Sequence, residues 1–161
     1  MNPQIVVLDD EARVGEMLAK ALSKKGFDVA WFARAPEALD YLREHDVDVL
    51  VTDLRMAGMD GIETCRRALA IREDLPVVVI TAFGSMQGAV EAIRAGAYDF
   101  HTKPFDIDAL TLTLERARAH KALRSEVKRL RDVVRGAAVH DGLVGRSEAM
   151  QKVYDLVARV A

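Results

Sequence analysis

VLVTDLRMAGMDG, residues Val49 to Gly61, is the stretch on which the fold turns. The apolar run from Val47 to Thr52 is rich in β-branched residues and has no polar alternation. That is the pattern of a strand buried on both faces, as in a parallel sheet covered by helices. The run stops on Asp53 and gives way to a loop with glycines at 58 and 61. A carboxylate at the end of a buried strand is costly unless a partner offsets its desolvation. The residues around it should therefore say what that partner is.

The same alternation recurs on both sides of this stretch. QIVVLDD (Gln4 to Asp10) reads as another buried strand, followed by a helix with Val14, Met17, Leu18, Ala21 and Leu22 on one face and Gly26 as its C-terminal cap. FDVAWF (Phe27 to Phe32) is a second strand, and Pro36 opens a helix carrying Ala38, Leu39 and Leu42. After the opening stretch come a helix from about Gly61 to Ile71 and the strand PVVVIT (Pro76 to Thr81). A helix from Met86 to Gly96 and a shorter strand, Ala97 to Lys103, follow. A fifth helix begins after Asp106 or Asp108, either of which suits its cap. Five strand–helix units with short connections predict an α/β fold: a flavodoxin-like, doubly wound, five-stranded parallel sheet in the order 2-1-3-4-5. Ligands in such sheets bind outside the carboxyl ends of the strands.

The fifth helix carries two apolar stripes. Leu110, Leu114 and Ala117 suit the sheet, whereas Leu123, Val127, Leu130 and Val134 follow a four-three-four spacing out of phase with the first. A helical linker over residues 123–138 that pairs as a coiled coil explains the second stripe, and an amphipathic helix lying on its own domain is the alternative. Gly136 is read as the end of this helix. Beyond it, with Ser147 as a cap and Met150, Val153, Leu156, Val157 and Val160 on one face, residues 139–161 read as the start of a further domain. The expected organisation is 1–122, 123–138 and 139–161.

Of the 161 residues, 50% are hydrophobic and 30% charged, the balance of a globular protein with an ample core. A single cysteine, Cys65, excludes a disulfide framework or a Cys/His metal cluster and suits a reducing compartment. The N-terminus lacks the basic region of a signal peptide, and no apolar run approaches the roughly 18 residues of a membrane span. A cytoplasmic location and no membrane partner are expected. Residues 1–105 hold 12 Lys+Arg and 17 Asp+Glu, whereas 106–161 hold 11 and 8. The basic part has no DNA-binding motif and no base-stacking aromatics on the long helix, so it reads as a solvated helix face rather than a nucleic-acid surface.

The strand ends carry the chemistry. The first strand delivers Asp9 and Asp10, the third Asp53, the fourth Thr81 and the fifth Lys103 followed by Pro104. A parallel sheet puts them all on one edge. Any one of these carboxylates is explained as a helix cap; the whole set at one edge is not. Carboxylates so crowded need a cation, and Mg²⁺ fits because it takes one or two carboxylates and keeps waters and a phosphate oxygen. Asp53 beside a metal and a lysine is placed to receive a phosphoryl group. An aspartyl-nucleophile phosphohydrolase also uses such an Asp, but needs an acid two residues on, where this chain has Arg55. A flavodoxin-type cofactor binder would place hydroxyls and amides, not Asp-Asp-Glu, after the first strand.

The motifs VVLDDE, VLVTDLRMAGMDG, VVVITAFGS and AGAYDFHTKPFD closely resemble those of response-regulator receiver domains of two-component signalling, over about residues 3–122. The resemblance implies that Asp53 is the phosphoacceptor and that Asp10, Asp53 and the backbone carbonyl of Arg55 bind Mg²⁺ directly, with Asp9 acting through a water. It makes Thr81 the switch hydroxyl, Lys103 the phosphate-binding lysine, Phe100 the switch aromatic, and the Lys103–Pro104 bond cis. One departure is Met56-Ala57-Gly58 where the family usually has Met-Pro-Gly. Losing the proline should loosen that loop. DLRMAGMDG, TKPFD and the tail GLVGRSEAMQKVYDLVARVA are similar to sigma-54-dependent activators of the nitrogen-regulation type and to the opening of their AAA+ ATPase domain. The implied partners are a sensor histidine kinase, a second copy bound through the fourth-helix/fifth-strand/fifth-helix face and linker, and the parent protein's AAA+ domain. No ATP loop lies within the chain, so no ATPase activity of its own is expected. A receiver with another output, or none, is the alternative.

Overall fold

The computed structural model describes residues 2–82, 86–141 and, near the C-terminus, 155, 156 and 159. Five strands, β1 (Gln4–Leu8), β2 (Asp28–Phe32), β3 (Val49–Asp53), β4 (Val77–Thr81) and β5 (Asp99–Thr102), alternate with five helices. These are α1 (Ala12–Lys24), α2 (Ala35–Glu44), α3 (Gly61–Ile71), α4 (Met86–Arg94) and α5 (Ile107–Asp141). The sheet is wholly parallel in the order β2-β1-β3-β4-β5, as the strand patterns predict. Its register aligns Leu8 with Thr52 and Asp53 with Ile80, so neighbouring strands end at one level.

Strand residues alternate between two cores. Val6, Leu8, Leu50, Val77 and Val79 pack with α2 and α3 side chains such as Leu39, Leu42, Cys65 and Ala68. Ile5, Val7, Val49, Val51, Val78 and Ile80 pack on the other side with Leu18 and Leu22 of α1 and Leu110, Leu114 and Ala117 of α5. Each of the valine, leucine and isoleucine side chains, removed wholly from water, contributes on the order of 2 kcal/mol. Residues flanking the cores set the element ends. Gly26, at φ +96°, closes α1 in the left-handed conformation, and Pro36 stands in the first turn of α2. Asp106 is the residue that caps α5, accepting the Asp108 amide at 2.8 Å.

Two expectations are corrected. Met17 faces solvent rather than the core, being 51% exposed, because Gly15, Leu18 and Leu22 form the buried stripe of α1. Gly136 does not end the last helix, since α5 continues to Asp141. A helical glycine costs only about 1 kcal/mol relative to alanine, and the alanines that follow at 137 and 138 favour continuation.

The chain divides into two compact units, Met1–Arg118 and Ala119–Ala161. In the second, Val127 is buried, Leu130 and Val134 are half-buried, and Leu123 is exposed. Residues 83–85 of the fourth strand-end motif, the expected cap Ser147 and nearly all of the apolar face after it lie outside the described residues.

Candidate phosphoacceptor site

Asp53 is the last residue of β3, 6% exposed, with its backbone locked into the sheet. The following amide, Leu54, donates to the Ile80 carbonyl at 2.8 Å, and the chain then turns through a loop into α3. Gly61, which opens α3, lets that helix come down on the strand end. Its amide donates to the Leu54 carbonyl. A Cβ there would press on the Asp53 carbonyl oxygen and lie 2.8 Å from Leu54 Cα. Asp60 caps the helix by accepting the Glu63 amide at 2.8 Å.

Asp9 follows β1 directly and is 2% exposed. Its amide donates to the Phe32 carbonyl, and one carboxylate oxygen accepts the Glu11 amide at 2.9 Å. The other oxygen lies 3.5 Å from Lys103 Nζ, and Asp53 Oδ2 is also 3.5 Å from that ammonium. The lysine reaches both because its backbone amide is tied to the Thr81 carbonyl at the end of β4. The Lys103–Pro104 peptide bond is cis, as the resemblance implies. Asp10 is exposed and accepts the Ala57 amide at 3.1 Å. One carboxylate oxygen from each of Asp9, Asp10 and Asp53 falls within 4.8 Å of the other two.

Burial is the main influence on the two inner carboxyls. It raises Asp53 above its ordinary value; the Lys103 charge pulls the other way and Asp9 adds to the rise. Asp9 is likewise raised by burial, against the opposing pull of the Glu11 amide and Lys103. A single lysine therefore does not fully compensate the pocket, which favours a further positive charge. Hard oxygen donors converging from three residues suit Mg²⁺.

The remaining expected residues are arranged around this centre. Thr81 is fully buried at the end of β4 and its hydroxyl donates to the Ala82 carbonyl at 2.9 Å. Phe100 on β5 is half-buried against the core cluster that contains Ala92 and Ala97. Arg55 is exposed, two residues past Asp53. Two participants are not legible from motif spacing. The Ala57 amide binds Asp10, a role that proline at this position would forbid, so the Met-Ala-Gly departure supplies a hydrogen bond to the pocket. The Trp31 indole donates to the Asp9 carbonyl at 3.1 Å.

A doubly wound parallel sheet carrying three converging carboxylates and a lysine at its C-terminal edge is the architecture of a receiver domain. The family model described as the response regulator receiver domain matches residues 5–115, and the chain belongs to that family. Among curated relatives, it is 34% identical to the C4-dicarboxylate transport transcriptional regulatory protein DctD of Rhizobium meliloti, over 99% of this chain and 35% of that protein. It is 37% identical to the transcriptional regulatory protein ZraR of Escherichia coli, again over 99% of this chain and 35% of the relative. The chain thus spans about a third of the length of these relatives. Among solved structures, NtrX from Brucella abortus in complex with ADP aligns over 99% of this chain and 34% of its own, at 34% identity and TM-score 0.78. The beryllofluoride-activated NtrC4 receiver domain dimer aligns over 73% of this chain and 98% of its own, at 31% identity and TM-score 0.69. Among the described residues, no helix is long and apolar enough to cross a membrane.

Proposed function

We propose that this chain is the phosphorylation-controlled switch of a sigma-54-dependent activator, that Asp53 accepts a phosphoryl group from a sensor histidine kinase, and that the modification changes how two copies associate. The observation that carries this reading is the Lys103 ammonium at 3.5 Å from both Asp9 and Asp53 at the end of the sheet. In the transfer, the bond from phosphorus to the donor imidazole nitrogen breaks as a bond to an Asp53 oxygen forms, and the imidazole leaves with the electron pair. Asp10, Asp53 and the Arg55 carbonyl would hold Mg²⁺ directly and Asp9 through a water. When bound, the ion neutralises charge on the phosphoryl oxygens and on the nucleophile. Lys103 supplies the second fixed charge, and the strand end holds Asp53 in line.

The acyl phosphate brings about −1.5 to −2 charge into a pocket already rich in carboxylate. It is stabilised by turning the Thr81 hydroxyl from the Ala82 carbonyl toward the phosphoryl oxygens, with Lys103 as the other partner. Phe100 then moves into the space Thr81 vacates, a rotamer change that alters the outer face. Met86, Val90 and Ile93 on α4 and Leu112 on α5 are exposed apolar side chains on those two helices, suited to a second copy. Moving a two-state equilibrium from 1:99 to 99:1 takes about 5.5 kcal/mol. Two charge-assisted hydrogen bonds near the upper end of roughly 1.5–3 kcal/mol each, or three of about 2 kcal/mol, supply it. In the parent protein the signal would pass along α5 to an AAA+ ATPase domain that acts with RNA polymerase in the cytoplasm, and the chain itself is regulatory.

Sedimentation of the chain in Mg²⁺ with and without beryllofluoride, a phosphoryl mimic, tests the reading. A mass or shape change in wild type that is absent in Asp53→Asn supports it. Identical behaviour of the two proteins refutes it.

A further inference from the structure

The hydrogen bond from Trp31 to Asp9 joins the acidic pocket to a second feature of α1. Trp31 pairs with Val7 across β1 and β2, and its ring packs on the core cluster of Ile5, Val7, Leu18 and Leu22. It can lie there only because residue 15 is glycine: a Cβ added at Gly15 would collide with the indole ring, nearest Nε1 and then Cδ1 and Cε2. Gly15 is buried in the first turn of α1, against the indole. The glycine of α1 thus stands where the indole ring lies against the helix. That N–H ends on the backbone carbonyl of Asp9, whose amide and carboxylate are held separately by the Phe32 carbonyl and the Glu11 amide. All the polar groups of the residue that begins the β1–α1 loop are therefore fixed. Asp10 hangs on the next peptide.

We propose that Trp31, seated in the gap left by Gly15, is a positioning residue for the Mg²⁺ pocket. By anchoring the Asp9 carbonyl it holds the β1–α1 loop so that the Asp9 and Asp10 carboxylates converge with Asp53 before the ion arrives. The role rests on reading that pocket as the Mg²⁺ and phosphoryl site. It acts through preorganisation: without the N–H, part of the ion's binding energy is spent ordering the loop. Losing one such hydrogen bond corresponds to a two- to tenfold weaker Mg²⁺ complex, roughly.

The test is calorimetric titration of the full chain with Mg²⁺ alone, followed by the rate of phosphorylation from acetyl phosphate. Trp31→Phe keeps a ring in the core but removes the donor. We expect its Mg²⁺ dissociation constant to rise by about two- to tenfold, with the phosphorylation rate restored at saturating Mg²⁺. Gly15→Ala should weaken Mg²⁺ binding in the same direction by displacing the indole, and should have little further effect in the Trp31→Phe background, where the ring is smaller. A tryptophan that serves only the core predicts a lower melting temperature with the Mg²⁺ constant unchanged, and that result overturns the proposal. Wild type offers a second measurement needing no variant. Trp31 is the only tryptophan in the chain, bonded to a carbonyl that the ion's charge would polarise. Its emission should change saturably with Mg²⁺ at the calorimetric midpoint, and an emission that stays constant while Mg²⁺ binds counts against the proposal. If wild type binds no Mg²⁺, or Asp10→Asn with Asp53→Asn binds it equally well, the pocket reading itself fails and takes this role with it.

Discussion

Replacing Asp53 by asparagine should make the Mg²⁺-free protein more stable. Asparagine keeps the shape and one acceptor oxygen but removes a charge that the fold holds at 6% exposure. At an effective dielectric constant of about 20, attraction to Lys103 at 3.5 Å is on the order of 5 kcal/mol. Repulsion from Asp9, with ligand oxygens within 4.8 Å, offsets about 3 kcal/mol of that, and the water-screened Asp10 offsets somewhat more. The Coulomb contributions nearly cancel, so desolvation decides the sign, in keeping with a carboxyl raised chiefly by burial. About 1–3 kcal/mol should be recovered on neutralisation, or roughly 3–12 °C in melting temperature for a domain of this size. The pH dependence follows from the direction of the shift. A carboxyl raised above its ordinary 3.8 contributes stability that is complete below that value and is lost as pH rises through the raised one. The advantage of asparagine should therefore be largest at pH 7–8 and shrink on acidification. The assay is thermal melting of both proteins in chelator from pH 5 to 8, repeated with Mg²⁺. An ion in hundredfold excess over its dissociation constant returns about 2.7 kcal/mol to wild type and closes or inverts the difference. An equal or lower melting temperature for Asp53→Asn in chelator at pH 7.5 refutes the reasoning.

Lys103→Met strands two buried carboxylates without their cation and should cost roughly 2–4 kcal/mol in urea unfolding, the loss easing as pH falls and the carboxyls protonate. Gly61→Ala pushes a methyl group against the Asp53 carbonyl and Leu54 Cα; about 1–3 kcal/mol lower stability is expected from the urea midpoint. Cys65 is fully buried and its thiol is pushed up to about 11 by burial. A thiol reagent at pH 8 should therefore label it only as fast as the protein opens, and immediate labelling of the native protein would contradict its placement.

The sheet order was legible because each strand is an unbroken β-branched run, and because short connections leave few ways to wind a parallel sheet. The convergence of Asp9, Asp10, Asp53 and Lys103 was legible for a related reason: residues at strand ends share an edge once the strands are parallel. Features that depend on packing were not. Nothing local distinguishes Met17 from Leu18 as a core residue, since the exact rotation of α1 is set by Gly15 closing on Trp31. The Trp31–Asp9 hydrogen bond crosses 22 positions and links an aromatic side chain to a backbone carbonyl, which no spacing rule encodes. Ala57 read as a looser loop residue, yet its amide is a pocket donor. Gly136 read as a stop because glycine often is one. Without a positive φ or a following proline to enforce it, the helix runs on.

The central claim is that Asp53 is the residue phosphorylated. Incubation with acetyl phosphate and Mg²⁺, reduction of the acyl phosphate with borohydride and peptide mass mapping locates the modified residue directly. The account predicts conversion of Asp53 alone, dependent on Mg²⁺ and lost in Asp53→Asn. Modification at Asp9 or Asp10, or a phosphorylated Asp53→Asn protein, would contradict it.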